Sequence, residues 1–364
     1  MTSLFDPIEY GAIHAKNRIV MAPLTRGRSE GVHVPISALK ADYYAQRAGA
    51  GLIIAEATGI SQEGSGWPSA PGIWSAEQVE AWKPVTEAVH KADGKIILQL
   101  WHMGRLVHPD FLGGAQPISA SATTAPGDAH TVTGKKPYEQ ARALGLNEIP
   151  RLIGDYTHAA KNAIAAGFDG VQLHSANGYL IDQFLRDGSN FRDDDYGGPI
   201  ENRIRLLREV TQALAETVGA DRTSVRLSPN GESQGVDDSN PVALFTAAAA
   251  ALQDIGISFL ELREQKTFGA FGTTDVPRVS PDIRKVFKAP LVLNQEYTLE
   301  TATADLASGL ADAISFGRKF ISNPDLPARL AKGVELAPDN FRTWYTPGPE
   351  GYTDYPTYDA LVDA

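Results

Sequence analysis

Short apolar, β-branched runs recur along this chain and alternate with longer segments whose apolar positions fall three or four residues apart. Strands buried on both faces lose the usual in–out alternation, so this pattern predicts repeated βα units on a parallel sheet. Eight such runs occupy residues 18–23, 51–56, 95–99, 169–174, 224–228, 257–262, 290–294 and 311–316. Eight is the number that closes a (β/α)₈ barrel, so the predicted fold class is α/β with a single TIM-type barrel. The intervening helices follow the same logic. Over 150–166, Ile149, Ile153, Tyr156, Ala160 and Ile164 share a face, and Gly167 provides the stop. A helix starting at Pro199 places Ile200, Ile204, Leu207, Val210 and Leu214 inward and sends Glu201, Arg203 and Arg205 elsewhere.

Three segments break the repeat. Residues 3–17 predict a small hairpin capping the barrel floor. Residues 102–148, rich in Gly, Pro, Ser and Thr, follow the third strand on the face where barrel enzymes place their sites, and are expected to form a lid. Residues 335–364 contain too many aromatics for a free tail and are expected to pack on the barrel, so residues 1–364 form one domain.

Composition narrows the chemistry. The chain is 364 residues long and 43% hydrophobic, enough for a large core. It has no run of eighteen apolar residues and no basic-then-apolar leader, which predicts a cytoplasmic protein without membrane contact. The absence of cysteine excludes disulfides, thiolate nucleophiles, iron–sulfur clusters and cysteine zinc sites. A net charge of −11 with no Lys/Arg cluster argues against a nucleic-acid partner.

In a barrel of this kind, polar residues at the C-terminal strand ends enter the site. The first run leads into Pro23, Leu24 and Thr25, the third into Gln99 and Trp101, the fourth into His174, and the last into Gly317 and Arg318. Arg226 lies within a run buried on both faces, where an unpaired guanidinium is expensive. A reduced flavin, anionic along its pyrimidine edge, would neutralise it, and so would a carboxylate such as Glu56 or Glu261. The Gln99 amide matches an imide edge and Thr25 offers a hydroxyl, although either residue can equally be a satisfied loop group. Gly317 and Arg318, with the Asn294 to Tyr297 loop, form a phosphate site, or else a turn glycine beside a solvated arginine. His174 and Asn177 can both donate to a carbonyl or nitro oxygen and stabilise enolate-like charge, and Tyr179 can supply a proton. The plainer reading makes His174 a core histidine and Tyr179 an anchoring aromatic.

The chain lacks G-x-G-x-x-G, G-x-x-x-x-G-K-[ST], G-x-S-x-G and H-E-x-x-H, and His102 and His108 have no companions at metal-ligand spacing, so no metal is expected. Six further segments carry a resemblance: NRIVMAPLTR from Asn17, YYAQR from Tyr43, QLWHMGR from Gln99, GFDGVQLHSANGYL from Gly167, DYGG followed by ENR from Asp195, and SFGR from Ser315. With them the whole chain resembles the Old Yellow Enzyme family.

That resemblance implies an FMN-dependent ene-reductase. Thr25, Ala57, Gln99 and Arg226 would hold the isoalloxazine, with Pro23, Leu24 and Asn294 beside them and Gly317 and Arg318 at the phosphate. His174 and Asn177 would hold the substrate oxygen, and Trp101, Trp67 and Tyr345 would line the substrate pocket. The expected cycle takes hydride from NADPH or NADH to flavin, then to an activated alkene, with Tyr179 as proton donor, in a monomer or homodimer. Two rival readings are a nitrate ester or nitroaromatic reductase using the same oxygen-binding pair, and a flavin-free aldolase or isomerase barrel. The latter needs a Schiff-base lysine or metal carboxylates at strand ends, and the sequence supplies neither.

Overall fold

The computed structural model describes residues 2–266 and 273–362. Eight parallel strands close a barrel: β1 (Ile19–Met21), β2 (Leu52–Gly59), β3 (Ile96–Trp101), β4 (Gly170–His174), β5 (Thr223–Leu227), β6 (Phe259–Arg263), β7 (Leu291–Asn294) and β8 (Ala313–Phe316), with β8 pairing back onto β1. Each predicted run supplies one strand, and only the boundaries move by a few residues.

Side chains alternate across each strand, so every second residue points at the barrel axis. At the floor these positions are apolar. Val20, Leu52, Ile54, Ile97, Phe259, Val292 and Ala313 pack against Tyr10, Ile13 and Ala15 of the antiparallel hairpin formed by Ile8–Tyr10 and Ile13–Ala15. Two residues further up the strands, the same positions carry Gln99, Glu261, Asn294 and Ser315, and this layer is polar. Burial of the lower layer closes the barrel against water, while the upper layer sets up the chemistry described below.

The helix Ile149–Ala165 buries Ile149, Leu152, Tyr156, Ala159, Ala160 and Ala163, with Ile153 only half-buried. The helix expected from Pro199 is interrupted at Ile204 into Ile200–Arg203 and Arg205–Val218. The interruption corrects the expected facing of Arg203. Its guanidinium turns inward, is buried, and pairs with Asp238 Oδ2 at 2.5 Å while donating to the Gly198 and Leu185 carbonyls. A buried cation is tolerated there because a carboxylate and two carbonyls surround it.

Residues 102–148 contain a hairpin, Asp128–Thr131 with Gly134–Pro137, and a parallel bridge between Ile118–Ser119 and Arg142–Ala143. Met103, Leu106, Val107 and Ala125 of this segment cluster with Ala57, Ala70 and Trp101, and His130 lies 4.9 Å from the Trp67 ring. Arg28 donates to the carbonyls of Thr343, Trp344, Gly348 and Glu350, and Arg26 to those of Trp344 and Gly351. Tyr352 stacks on Tyr43 at 4.0 Å. These contacts bring Tyr345 to the barrel mouth. Among the described residues no helix is long and apolar enough to cross a membrane.

Candidate active site

The C-terminal strand ends surround a cavity of about 950 Å³, lined by Pro23, Leu24, Thr25, Trp67, Trp101, Asn177, Tyr179, Arg226, Asn294, Gly317, Arg318 and Tyr345 among others. Three of the sequence-predicted residues do not reach this lining. Gln99 lies in the polar layer beneath, His174 stands behind the lining residues Trp101 and Tyr179, and Ala57 packs with Trp101 and Ala70.

The polar layer is one connected network. Gln99 Nε2 donates to Gln172 Oε1 at 2.7 Å, and Gln172 Nε2 donates to Glu261 Oε2 at 3.0 Å. Glu261 Oε1 accepts from Arg226 Nη1 at 2.5 Å and from Ser315 Oγ at 2.7 Å. Asn294 Oδ1 accepts from Arg226 Nη2 at 2.9 Å while its Nδ2 donates to the Ser315 carbonyl. The protein thus neutralises Arg226 itself, through Glu261, and no flavin is required for that purpose. Glu56, the other carboxylate considered, pairs instead with the fully buried Lys40 at 2.5 Å. Asn294 also departs from the expected phosphate loop, because its side chain faces the barrel axis and orients Arg226.

Arg226 and His174 are register partners across β4 and β5, so both side chains rise on the same side of the barrel wall. The ring of His174 lies 4.8 Å from Tyr179 and 6.4 Å from Trp101, and Tyr179 meets Trp101 edge-on at 5.0 Å. His174 Nδ1 accepts from the Ala176 N–H at 3.3 Å, which assigns the ring proton to Nε2. Asn177 sits at φ 59°, with its N–H on Ser228 Oγ at 2.8 Å. Left-handed backbone is tolerated by Asn better than by most residues, and here it turns the chain back so that Asn177 and Tyr179 both reach the cavity.

Burial, reinforced by the Arg226 and Arg263 guanidiniums, holds the His174 imidazole well below its ordinary value, so the ring is neutral. Below about pH 6.5 the unfolded chain takes up a proton that folded His174 refuses, so stability falls as pH drops. His174→Gln is expected to remove this contribution, a slope of up to about 1.4 kcal/mol per pH unit. Thermal unfolding of parent and variant between about pH 5 and 8 checks it; parallel curves would contradict it.

The opposite end of the cavity is built from Gly317, Arg318, Lys319 and Asn323, following β8. Arg318 is not simply solvated. It pairs with Glu296 Oε1 at 2.8 Å, across from the loop after β7. A flavin mononucleotide suits this arrangement on three counts. The cavity lies within the size range of small-molecule sites, cationic side chains stand both at its centre and at one end, and Arg226 Nε is buried with no hydrogen-bond partner among the described residues.

Several lining residues lie outside the sites read from the sequence: Arg263, Gln234 and Trp344. Arg263 was within reach, since it ends β6 and obeys the same strand-end rule that selects His174. The sixth strand runs one residue beyond the predicted 257–262, to Arg263.

Solved structures share this architecture, and further proteins share much of the sequence. The chain superposes on the Old Yellow Enzyme homologue from Zymomonas mobilis with a TM-score of 0.96 and 63% identity, covering 97% of this chain and 99% of that one. Morphinone reductase in complex with tetrahydroNAD gives 0.93 and 41%, with all of both chains covered. A chanoclavine-I aldehyde reductase from Penicillium roqueforti is 42% identical over 98% of this chain and 96% of its own. Residues 3–337 match the sequence model of the NADH:flavin oxidoreductase / NADH oxidase family, and the chain belongs to that family.

Proposed function

We propose that this FMN-dependent NAD(P)H oxidoreductase reduces the C=C bond of activated alkenes, with His174 and Asn177 gripping the activating oxygen and Tyr179 protonating the α-carbon. The observation that carries the assignment is Asn177 and the half-buried Tyr179 on one cavity wall with the neutral His174 imidazole 4.8 Å from the phenol ring, beside a cationic polar layer.

When bound, FMN accepts two electrons from NADH or NADPH and supplies the hydride that the alkene receives at its β-carbon. Arg226 would face the pyrimidine edge of the ring, held in place by Glu261 and Asn294. Gln99, Thr25, Pro23, Leu24 and Ala57 would complete its seat, and Gly317 with Arg318 would hold the phosphate. His174 Nε2–H and the Asn177 amide donate to the carbonyl or nitro oxygen, and neither donor loses its role through titration near neutrality. Tyr179 remains protonated because burial raises its phenol well above the usual range. Trp101, Trp67 and Tyr345 would wall the substrate side. Use of the NADH or NADPH pool fits a cytoplasmic enzyme.

The direct test is spectroscopic. Purified holoprotein should be yellow, bleach anaerobically on addition of NADH or NADPH, and regain colour when an enone, enal or nitroalkene follows. Colour returning only with a nitrate ester or nitroaromatic would transfer the site to that chemistry, and no return with any acceptor would overturn the proposal.

A further inference from the structure

We infer that Arg263 is a positioning residue for the substrate oxygen: its guanidinium locks the Asn177 amide in the orientation that points the NH₂ group into the cavity. The inference rests on the reading that Asn177 grips this oxygen, and adds how a flexible, symmetric-looking amide is made into a fixed donor.

Arg263 follows Glu261 by two residues on β6 and faces the same way, toward the site. Its Nη1 donates to Asn177 Oδ1 at 3.0 Å, and its Nε donates to Gln295 Oε1 at 3.2 Å. A guanidinium has donors and no acceptor, so the Asn177 atom against it must be the oxygen. Turning the amide over would set NH₂ against N–H and exchange a charge-assisted hydrogen bond for a repulsive contact.

The rest of Asn177 is equally constrained. Its N–H is on Ser228 Oγ, and its carbonyl accepts from Gln234 Nε2 at 2.8 Å. Backbone and amide oxygen are thus both pinned, and among the described residues Nδ2 has no protein partner. That nitrogen belongs to a residue lining the cavity. A preorganised donor needs no reorientation as charge develops on the oxygen, which is where such groups gain their effect. The same cation stands close enough to His174 to help keep the imidazole neutral.

A double-mutant cycle separates this role from a general structural one. Holoenzyme is prepared as parent, Arg263→Met, Asn177→Ala and the double variant, and reoxidation by an enone is followed after reduction with NADH or NADPH. Arg263→Met is expected to lower kcat/KM for the enone by about 10–100-fold, with FMN content and the KM for the nicotinamide unchanged. In the Asn177→Ala background the same substitution should cost no more than about twofold, since the group it orients is gone. Arg263→Lys, which keeps the charge and one donor, should recover part of the loss. Arg263→Gln replaces the methionine variant in the cycle if that protein does not fold. Equal losses in both backgrounds would overturn the inference. Parent-like rates for Asn177→Ala alone would instead overturn the underlying assignment of Asn177.

Discussion

Replacing Tyr179 by phenylalanine is expected to slow alkene reduction by about 10²–10⁴-fold while leaving oxidation of the nicotinamide at the parent rate. The substitution is clean. The phenyl ring retains the edge contacts to Trp101 at 5.0 Å and His174 at 4.8 Å, so packing is preserved and only the hydroxyl is lost. The size of the effect follows from what the hydroxyl does. A half-buried phenol that stays protonated would be a poised donor to the α-carbon once negative charge has formed there, with Trp101 packed against it. Rapid-mixing measurements of the two half-reactions check the prediction. In heavy water the parent should also place deuterium at the α-carbon faster than the variant. Equal rates in both half-reactions would remove Tyr179 from its role.

The second large effect is expected at Arg226. Arg226→Met should lower the unfolding free energy by about 3–5 kcal/mol, because it strands the fully buried Glu261 carboxylate with only the Gln172 and Ser315 donors. It should also release FMN. Combining it with Glu261→Gln separates the two consequences, since an amide at 261 carries no charge to be left uncompensated. The double variant is expected to recover most of the stability, measured by denaturant unfolding of the apoprotein, without recovering FMN affinity, measured by fluorescence titration. Recovery of both would make Arg226 a structural cation and nothing more.

The contrast between Arg226 and His174 shows where reading from sequence succeeds and stops. Both are polar residues in strongly apolar runs, and a buried polar group in a barrel strand has to face other polar groups. That argument locates the polar layer without coordinates. It does not decide the partner, because Glu56 and Glu261 are both carboxylates inside β-runs and sequence separation carries no distance. Pairing follows from the barrel register, which aligns Arg226 with Glu261 and places Glu56 beside Lys40 of the helix Ser37–Gln46. Arg318 is a similar case. Its strand-end position is legible, but the Glu296 that meets it comes from a neighbouring loop with φ 50°.

Sequence by itself determined the eight-strand barrel, the floor hairpin and the identity of the His174, Asn177 and Tyr179 cluster, because all three rest on periodicity or on residues within one short segment. Tertiary structure alone decided what each polar group touches. The chain of contacts from Gln99 through Gln172, Glu261 and Arg226 to Asn294 joins five different strands. Those five strands are consecutive neighbours whose side chains meet only through sheet pairing and curvature, and the arginine that orients Asn177 arrives from 86 residues away by the same pairing.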